Sequence, residues 1–223
     1  MTMLTTIFER LLERYGHREW WPAESPFEVC VGAILTQNTN WGNVEKAIAN
    51  LKAADCLTPS AIATLPPQEL AALIRPAGYF NVKARRLQSF CTSALAAGQG
   101  DLERLFAQDW RQLRQWLLAV NGIGPETADS MLLYAANRPS FVVDAYTRRI
   151  FSRLGLVDET IAYEPLRSFC MQQLPEDPAL YNEFHALIVE HGKQQCRPRP
   201  RCADCCLAIQ CNHQRQQNRQ TGG

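Results

Sequence analysis

Five of the nine cysteines lie in the last 28 residues of the chain, and their spacing is that of a metal site. Four of them follow the pattern C-x5-C-x2-C-x5-C, namely Cys196, Cys202, Cys205 and Cys211. Thiolates this close together in a loop without its own core need a metal, and all-thiolate sets suit zinc or an iron–sulfur cluster. Cys206 can also replace Cys205, so the spacing leaves the metal and this ligand open. The other cysteines lie on apolar faces and are expected core residues: Cys30, Cys56, Cys91 and Cys170.

A second group of candidate functional residues is the pair of glycines within residues 111–137, RQLRQWLLAVNGIGPETADSMLLYAAN. Apolar residues at helical spacing precede Gly122, and Pro125 is well placed to begin a new helix after Gly124. Glycines permit positive φ and let a phosphate approach the backbone, where the amides and dipole of a helix N-terminus favour an anion. Gly122, Gly124 and Thr127 are therefore candidate contacts for a DNA backbone. The alternative is a tight turn in a helical bundle.

A single carboxylate stands out further along the chain. Asp144 follows the apolar residues Phe141-Val142-Val143, and Arg148 comes one turn later. Its simplest interpretation is a helix N-cap.

Together these motifs resemble a known family. The pattern L-x-x-V-x-G-I-G-x-x-T-A followed by V-D-x-x-x-x-R resembles the helix-hairpin-helix DNA glycosylases of the endonuclease III superfamily, over nearly the whole chain. The resemblance implies a double-stranded DNA partner with a flipped damaged base, and a four-iron, four-sulfur cluster in the cysteine loop. The usual family loop is C-x6-C-x2-C-x5-C, one residue longer in its first gap. It also implies that Arg148 and Arg199 contact the DNA backbone.

The same resemblance assigns the chemistry to Asp144. Cleavage of an N-glycosidic bond builds positive charge on the sugar, which a carboxylate can stabilise while it orients or deprotonates water. Bifunctional family members have lysine where this chain has Glu126, which cannot form a Schiff base. The resemblance therefore implies a monofunctional base-excision-repair glycosylase that uses water.

The expected substrate is an alkylated purine. Trp20-Trp21-Pro22, the loop T-Q-N-T-N-W and His191-Gly192-Lys193 look like the 3-methyladenine DNA glycosylase III group. The base pocket implied by this resemblance consists of Trp20, Trp21, Pro22, Trp41 and Lys193. In that group the matching lysine is modified to a carbamate, and the damaged purine is held by stacking. The alternative for the tryptophans is a hydrophobic plug between domains.

In these glycosylases the loop after the second helix carries an amide that fills the space left by the flipped base. Gln37 and Asn38 are the candidates here, and an ordinary loop between helices is the alternative. The adenine-removing branch needs a glutamate in the preceding helix, where this chain has Gly32 and Ala33.

The elements that position these residues are predicted to be helices throughout. We expect an all-α fold with a central lobe over 22–134, a second lobe formed by 1–21 and 135–211, and a flexible tail over 212–223. The cysteine loop, 196–211, belongs to the second lobe. No segment shows the sustained alternation of a strand.

Composition is consistent with a DNA-binding protein in the cytosol. The net charge is only +1, but six Lys or Arg against one acid follow from Lys193 to the end, and a second basic cluster contains Lys83, Arg85 and Arg86. Cations at a helix start oppose the dipole, so a phosphate partner would explain Lys83. No apolar run approaches the ~20 residues of a membrane span, and no signal peptide is apparent. We expect a monomer in the bacterial cytosol or nucleoid.

Two other functions remain open at this point. The same scaffold can act on oxidised or mismatched pyrimidines with strand cleavage through another amine, such as Lys193. It can also serve as a non-catalytic DNA-binding module.

Overall fold

The computed structural model describes residues 2–18, 20–21, 23–98 and 101–221, and every regular element within them is helical. The α-helices are α1 Met3–Tyr15, α2 Pro26–Leu35, α3 Trp41–Ala53, α4 Pro59–Thr64, α5 Pro67–Leu73, α6 Phe80–Gly98, α7 Leu102–Phe106, α8 Trp110–Ala119, α9 Pro125–Ser130, α10 Ala145–Leu154, α11 Tyr163–Gln173, α12 Pro178–Gln194 and α13 Asn212–Thr221. Short 3-10 turns span Arg75–Ala77 and Ala208–Gln210, and α9 continues as a π-helix over Met131–Ala135. The predicted all-α class is confirmed.

The chain divides into two compact units. The central unit is Trp21–Arg138, and the terminal unit combines Met1–Trp20 with Pro139–Gly223. The sequence predicts a central lobe over 22–134, so the structure extends it by one residue at one end and four at the other.

Helix α2 is the centre of the central unit. It begins where the Ser25 side chain accepts from the Glu28 amide and Pro26 occupies the first turn. Nine of its ten residues are buried, and all of these except Glu28 are apolar. It packs against α3, α6, α9 and the π-helix, so its C-terminal end and the loop that follows have a fixed place in this unit.

The terminal unit is built around α12, which packs against α1 and α10. Asp177 caps its N-terminus by accepting from two backbone amides, and Pro178 lies in its first turn. Aromatic side chains supply the core, with Phe184 in edge-on contact with Phe8 and Phe141. The capped start and packed face of α12 fix the positions of residues on its other faces.

The segment 212–223, which the sequence predicts to be a flexible tail, includes helix α13, Asn212–Thr221. The helix packs against α10, where a Cβ at Gly155 would meet the Asn212 side-chain nitrogen at 1.9 Å. Glycine at 155 therefore leaves the space that this contact uses. Among the described residues, no helix has the length and apolar character of a membrane span.

Candidate functional site

Asp144 is the N-cap of α10, as its position in the sequence predicts. Its Oδ1 accepts from the Thr147 amide at 2.7 Å and from the Thr147 hydroxyl at 2.9 Å. Its other oxygen, Oδ2, lies 3.5 Å from Nε2 of His185 on α12. The carboxylate is largely buried, with 14% of the side chain exposed. Capping therefore occupies one oxygen and leaves the second oriented toward His185.

This environment holds Asp144 in its anionic form. Burial pushes the pKa of Asp144 upward, but the hydrogen bond and charge of His185 and the two bonds from Thr147 outweigh it. The net result is a pKa below the ordinary value for aspartate. A carboxylate with a lowered pKa is suited to stabilise positive charge rather than to donate a proton.

A chain of contacts connects Asp144 to His185, His185 to Trp20, and Trp20 to Lys193. The rings of Trp20 and His185 are 6.1 Å apart and nearly perpendicular. Lys193 is exposed, with its Nζ 5.7 Å from the centre of the Trp20 ring. The structure thus links two predicted pocket residues and the predicted catalytic residue within the terminal unit. A Cβ at Gly192 would meet the Tyr146 ring at 2.3 Å, so this glycine allows α12 to approach α10 closely.

The other predicted pocket residues form a cluster in the central unit. The Trp21 ring stacks on Tyr134 at 4.9 Å, and its edge contact with Trp41 spans 5.1 Å. Gly32 lies beneath both indoles, where a Cβ would be 3.4 Å from Trp21 and 3.5 Å from Trp41. Tyr134 comes from the π-helix, a form that often occurs at functional sites. Pro22 lies outside the described residues.

The glycine hairpin joins α8 to α9 in the central unit. Gly122 has φ +89°, and a Cβ there would meet the Arg86 side chain at 2.2 Å. Gly124 differs, because its φ is −91° and a Cβ there would meet nothing within 4 Å. Backbone conformation and packing require glycine at 122, whereas at 124 the open space permits close approach of another molecule.

Gln37 is bound to this hairpin. Its Nε2 donates to the Thr127 hydroxyl at 2.9 Å and to the Gly122 carbonyl at 3.3 Å. Its Oε1 accepts from the Arg86 guanidinium. Asn38 is exposed and has φ +56°, a left-handed conformation that asparagine tolerates better than most residues. The two wedge candidates therefore occupy different environments.

Two residues predicted to contact DNA have buried side chains. Lys83 is buried, and its Nζ donates to the carbonyls of Leu35 and Ala77, both at 2.8 Å. Burial, followed by the nearby Arg86 charge, lowers the pKa of Lys83 to about 8. Its ammonium group therefore closes the end of α2 and is not available to a phosphate. The Thr127 side chain is also buried and bound by Gln37, so only its backbone can contact DNA.

The remaining predicted cations differ in their surroundings. Arg199 is exposed. Arg148 is half-buried, and its Nε donates to the Ile161 carbonyl at 3.2 Å.

The four regularly spaced cysteines line one cavity in the terminal unit, together with Arg153 and His191. Arg153 donates to the Cys196 sulfur at 3.3 Å, and its carbonyl accepts from the Cys211 thiol at 3.4 Å. Cys206 is absent from the described residues that line this cavity. The donor set thus fits a thiolate-bound metal group with Cys205 as its third cysteine. Within the described chain, no three Cys, His, Asp or Glu side chains surround a single ion position.

His191 connects this loop to α1. Its Nε2 lies 3.8 Å from the Cys205 sulfur, and its Nδ1 lies 3.0 Å from the Tyr15 hydroxyl. Burial lowers the pKa of His191 to about 4, so its ring is neutral near pH 7.

The structure identifies functional candidates that sequence reasoning missed. His185 faces Asp144, and no motif in the sequence marked it. Tyr79 is 71% exposed with φ +46° at the start of α6, one turn before Lys83. An aromatic ring that exposed can stack on a nucleobase. In the sequence, the turn Gly78-Tyr79-Phe80 contains no motif that marks Tyr79 as functional.

Comparisons with known proteins agree with this geometry. Residues 31–176 match the family model described as HhH-GPD superfamily base excision DNA repair protein. A Methanocaldococcus jannaschii protein with a provisional assignment as a DNA repair glycosylase is 49% identical over 205 residues, covering 91% of this chain and 93% of the relative.

Two solved structures are also similar. The H. pylori 3-methyladenine DNA glycosylase, bound to 1,N6-ethenoadenine, is 31% identical, with a TM-score of 0.72 over 86% of this chain and 94% of that one. An endonuclease III in a non-covalent complex with DNA has a TM-score of 0.82 at 21% identity, over 98% of this chain and 100% of that one. The second comparison establishes the fold alone.

Proposed function

The chain belongs to the HhH-GPD superfamily of base excision DNA repair proteins and is a DNA glycosylase, and we propose that it is a monofunctional enzyme that releases alkylated purines. The observation that carries this proposal is Asp144, an anionic carboxylate with one oxygen fixed by Thr147 and the other facing His185. As the base departs, the sugar develops positive charge, and this carboxylate stabilises it. The same group can take a proton from the attacking water.

Glu126 is inconsistent with a lyase step at this position. It lies in the first turn of α9 at the position where bifunctional glycosylases are expected to have lysine. A carboxylate cannot attack C1′ to form an imine, so water is the nucleophile in the proposed reaction. The carboxylate also suits the helix N-terminus electrostatically.

The substrate class rests on aromatic residues in each unit. Trp21, Trp41 and Tyr134 form one aromatic surface, and Trp20 with Lys193 forms another set near Asp144. An N-alkylated purine carries positive charge or a weakened glycosidic bond, so stacking on electron-rich rings can select it with little acid catalysis. The solved relative at 31% identity is named as a 3-methyladenine glycosylase and holds an ethenoadenine, which supports a modified purine.

DNA is proposed to bind through backbone and loop contacts of the central unit. The open space at Gly124 admits a phosphate to the N-terminus of α9. Asn38 can fill the space left by the flipped base, since its amide hydrogen-bonds a base without adding charge. Arg199 is the remaining exposed candidate for a phosphate contact.

The cysteine cavity is proposed to hold a four-iron, four-sulfur cluster, with zinc as the alternative. Cys196, Cys202, Cys205 and Cys211 would supply the thiolates. A bound cluster would stabilise the loop that presents Arg199, and no catalytic step requires it. Arg153 would compensate part of the thiolate charge through its bond to Cys196.

The test measures base release and strand scission separately. Duplexes carrying 3-methyladenine, 7-methylguanine, 1,N6-ethenoadenine, uracil or thymine glycol would be incubated with the intact protein, and free base quantified. Release of a modified purine with an intact strand, and no borohydride-trapped adduct, is the expected result. Scission at thymine glycol with a trapped adduct would instead establish a lyase on damaged pyrimidines.

A further inference from the structure

The side chain of Gln37 is bound at both ends of its amide. The NH2 group donates to Thr127 Oγ1 at 2.9 Å and to the Gly122 carbonyl at 3.3 Å, while the carbonyl oxygen accepts from Arg86. Insertion of Gln37 into a DNA duplex would break all these bonds. The next residue, Asn38, is exposed.

Arg86 is fixed by the same hairpin. Its stem packs against Gly122 so closely that a Cβ there would lie 2.2 Å from its Cγ and 2.8 Å from its Cδ. The guanidinium then reaches Gln37. Arg86 comes from α6, Gln37 from the loop after α2, and Gly122 and Thr127 from the hairpin region, so three separate segments meet at one amide.

Lys83 reinforces this junction from the same helix. It lies one turn before Arg86 on α6 and donates to the Leu35 carbonyl, two residues before Gln37. Two side chains of one helix therefore hold both the end of α2 and the loop that follows. The base of the loop is fixed, whereas the Asn38 side chain is exposed.

We propose that Gln37 and Arg86 are positioning residues that join the base-flipping loop to the glycine hairpin, and that Asn38 rather than Gln37 enters the DNA. Phosphate bound at the hairpin then fixes the place of Asn38 through the Gly122 and Thr127 contacts. This inference rests on the proposed DNA binding at the hairpin. It assigns a structural role to Gln37 and insertion into DNA to Asn38.

The experiment removes the contacts between Gln37 and the hairpin without changing the net charge. Thr127→Val deletes the acceptor at nearly constant shape, and Thr127→Ser restores a hydroxyl as the matched control. Gln37→Ala deletes the amide, and Arg86→Lys keeps the charge but loses the planar fork. Each full-length variant would first be checked for an unchanged thermal unfolding midpoint.

Two readouts on DNA do not depend on the substrate. Affinity for a duplex with an abasic analogue would be measured across salt concentrations, and the fluorescence of a neighbouring 2-aminopurine would report unstacking. For Thr127→Val, Gln37→Ala and Arg86→Lys, we expect affinity within about twofold, an unchanged salt slope and a reduced fluorescence rise. Single-turnover base release should fall about tenfold in the same variants.

The Gln37→Ala/Thr127→Val double variant should be no worse than either single variant, because both act through one contact. Asn38→Ala should add its own loss to each of them. If Thr127→Val has the fluorescence rise and base release of the wild type while Gln37→Ala loses both, Gln37 itself enters DNA. That result would overturn the proposal. A salt slope reduced by about one in an Arg86→Ala variant would also overturn it, because Arg86 would then be a phosphate contact. If wild type binds the duplex but releases no base, only the proposed function fails.

Discussion

Asp144 combines a structural bond with the proposed chemistry, and asparagine can separate the two. An asparagine side chain caps a helix about as well as aspartate, so Asp144→Asn should change the free energy of unfolding by less than ~1 kcal/mol. The negative charge is lost, and single-turnover base release should fall roughly 10²–10³-fold. Equal rates of release in both proteins would remove Asp144 from the mechanism. DNA affinity serves as the control and should remain close to wild type.

His185 determines the acid limit of this carboxylate. In the wild type the pKa of Asp144 is lowered, so its anion stabilises the fold above the unfolded-state pKa. That contribution is lost as pH falls through the lower, folded-state pKa. His185→Phe keeps the Asp144 carboxylate buried but removes the hydrogen bond and charge of the histidine. The pKa of Asp144 should therefore rise, and the acid limb of the rate profile should move to higher pH.

His185→Gln is the matched variant for that experiment, because it keeps a neutral hydrogen-bond donor. Its acid limb should lie between those of wild type and His185→Phe. Superimposed acid limbs in all three proteins would show that His185 does not act on Asp144.

At the scale of the elements, alanine substitutions of the two hairpin glycines should affect different properties of the protein. Gly122→Ala adds a side chain at positive φ and against Arg86, so it should lower the free energy of unfolding by at least ~1–2 kcal/mol. Gly124→Ala meets nothing and has ordinary φ, so its stability should change by less than ~1 kcal/mol.

The added methyl group at 124 should instead obstruct the proposed phosphate, weakening DNA affinity about tenfold. Thermal unfolding and fluorescence anisotropy on one duplex measure the two effects. Unchanged affinity in a stable Gly124→Ala variant would place the phosphate elsewhere.

The cysteine loop offers a second matched pair at this scale. Cys205 lines the cavity with the three other regularly spaced cysteines, whereas Cys206 is its neighbour in sequence. Cys205→Ser should therefore lose bound metal and thermal stability, while Cys206→Ser should keep both. Metal and acid-labile sulfide analysis measures this directly. Iron with sulfide supports the cluster, stoichiometric zinc supports the alternative, and metal loss only in Cys206→Ser reverses the ligand assignment.

At the scale of the whole molecule, local patterns in the sequence predicted the helices and the ends that carry chemistry. The apolar spacing and the Gly-Pro start define α8 and α9, and the apolar run before Asp144 defines the start of α10. These features depend on residues a few positions apart, which is the range over which helix signals act. The sequence predicted a flexible tail because Asn212–Thr221 has no apolar stripe, although glutamine and arginine are good helix formers.

Contacts between distant segments were beyond the reach of the sequence. Lys83 looked like a phosphate ligand because a cation at a helix start is otherwise unfavourable. The carbonyls that satisfy it come from Leu35 and Ala77 after folding. Gln37 and Asn38 looked equivalent for the same reason, since only the folded chain brings Arg86 and Thr127 to Gln37.

The buried position of Lys83 can be tested through the stability of the entire protein. Its pKa is about 8 in the folded chain but near the ordinary lysine value of ~10.5 when unfolded. Between these pH values the unfolded chain holds more protons, so the wild-type free energy of unfolding should rise with pH. Lys83→Met should lack this slope, as measured by urea unfolding from pH 7 to 10.5.

The same variant should leave the salt dependence of DNA binding unchanged, because the ammonium group is buried and donates to two carbonyls. Arg85→Met is the control, since Arg85 is exposed on the same turn of α6 and should not alter the pH slope of stability. A salt slope smaller by about one in Lys83→Met would mean that its side chain leaves the core to bind DNA. In that case the end of α2 would open when the protein binds its substrate, and the carbonyl contacts would belong to the free protein alone.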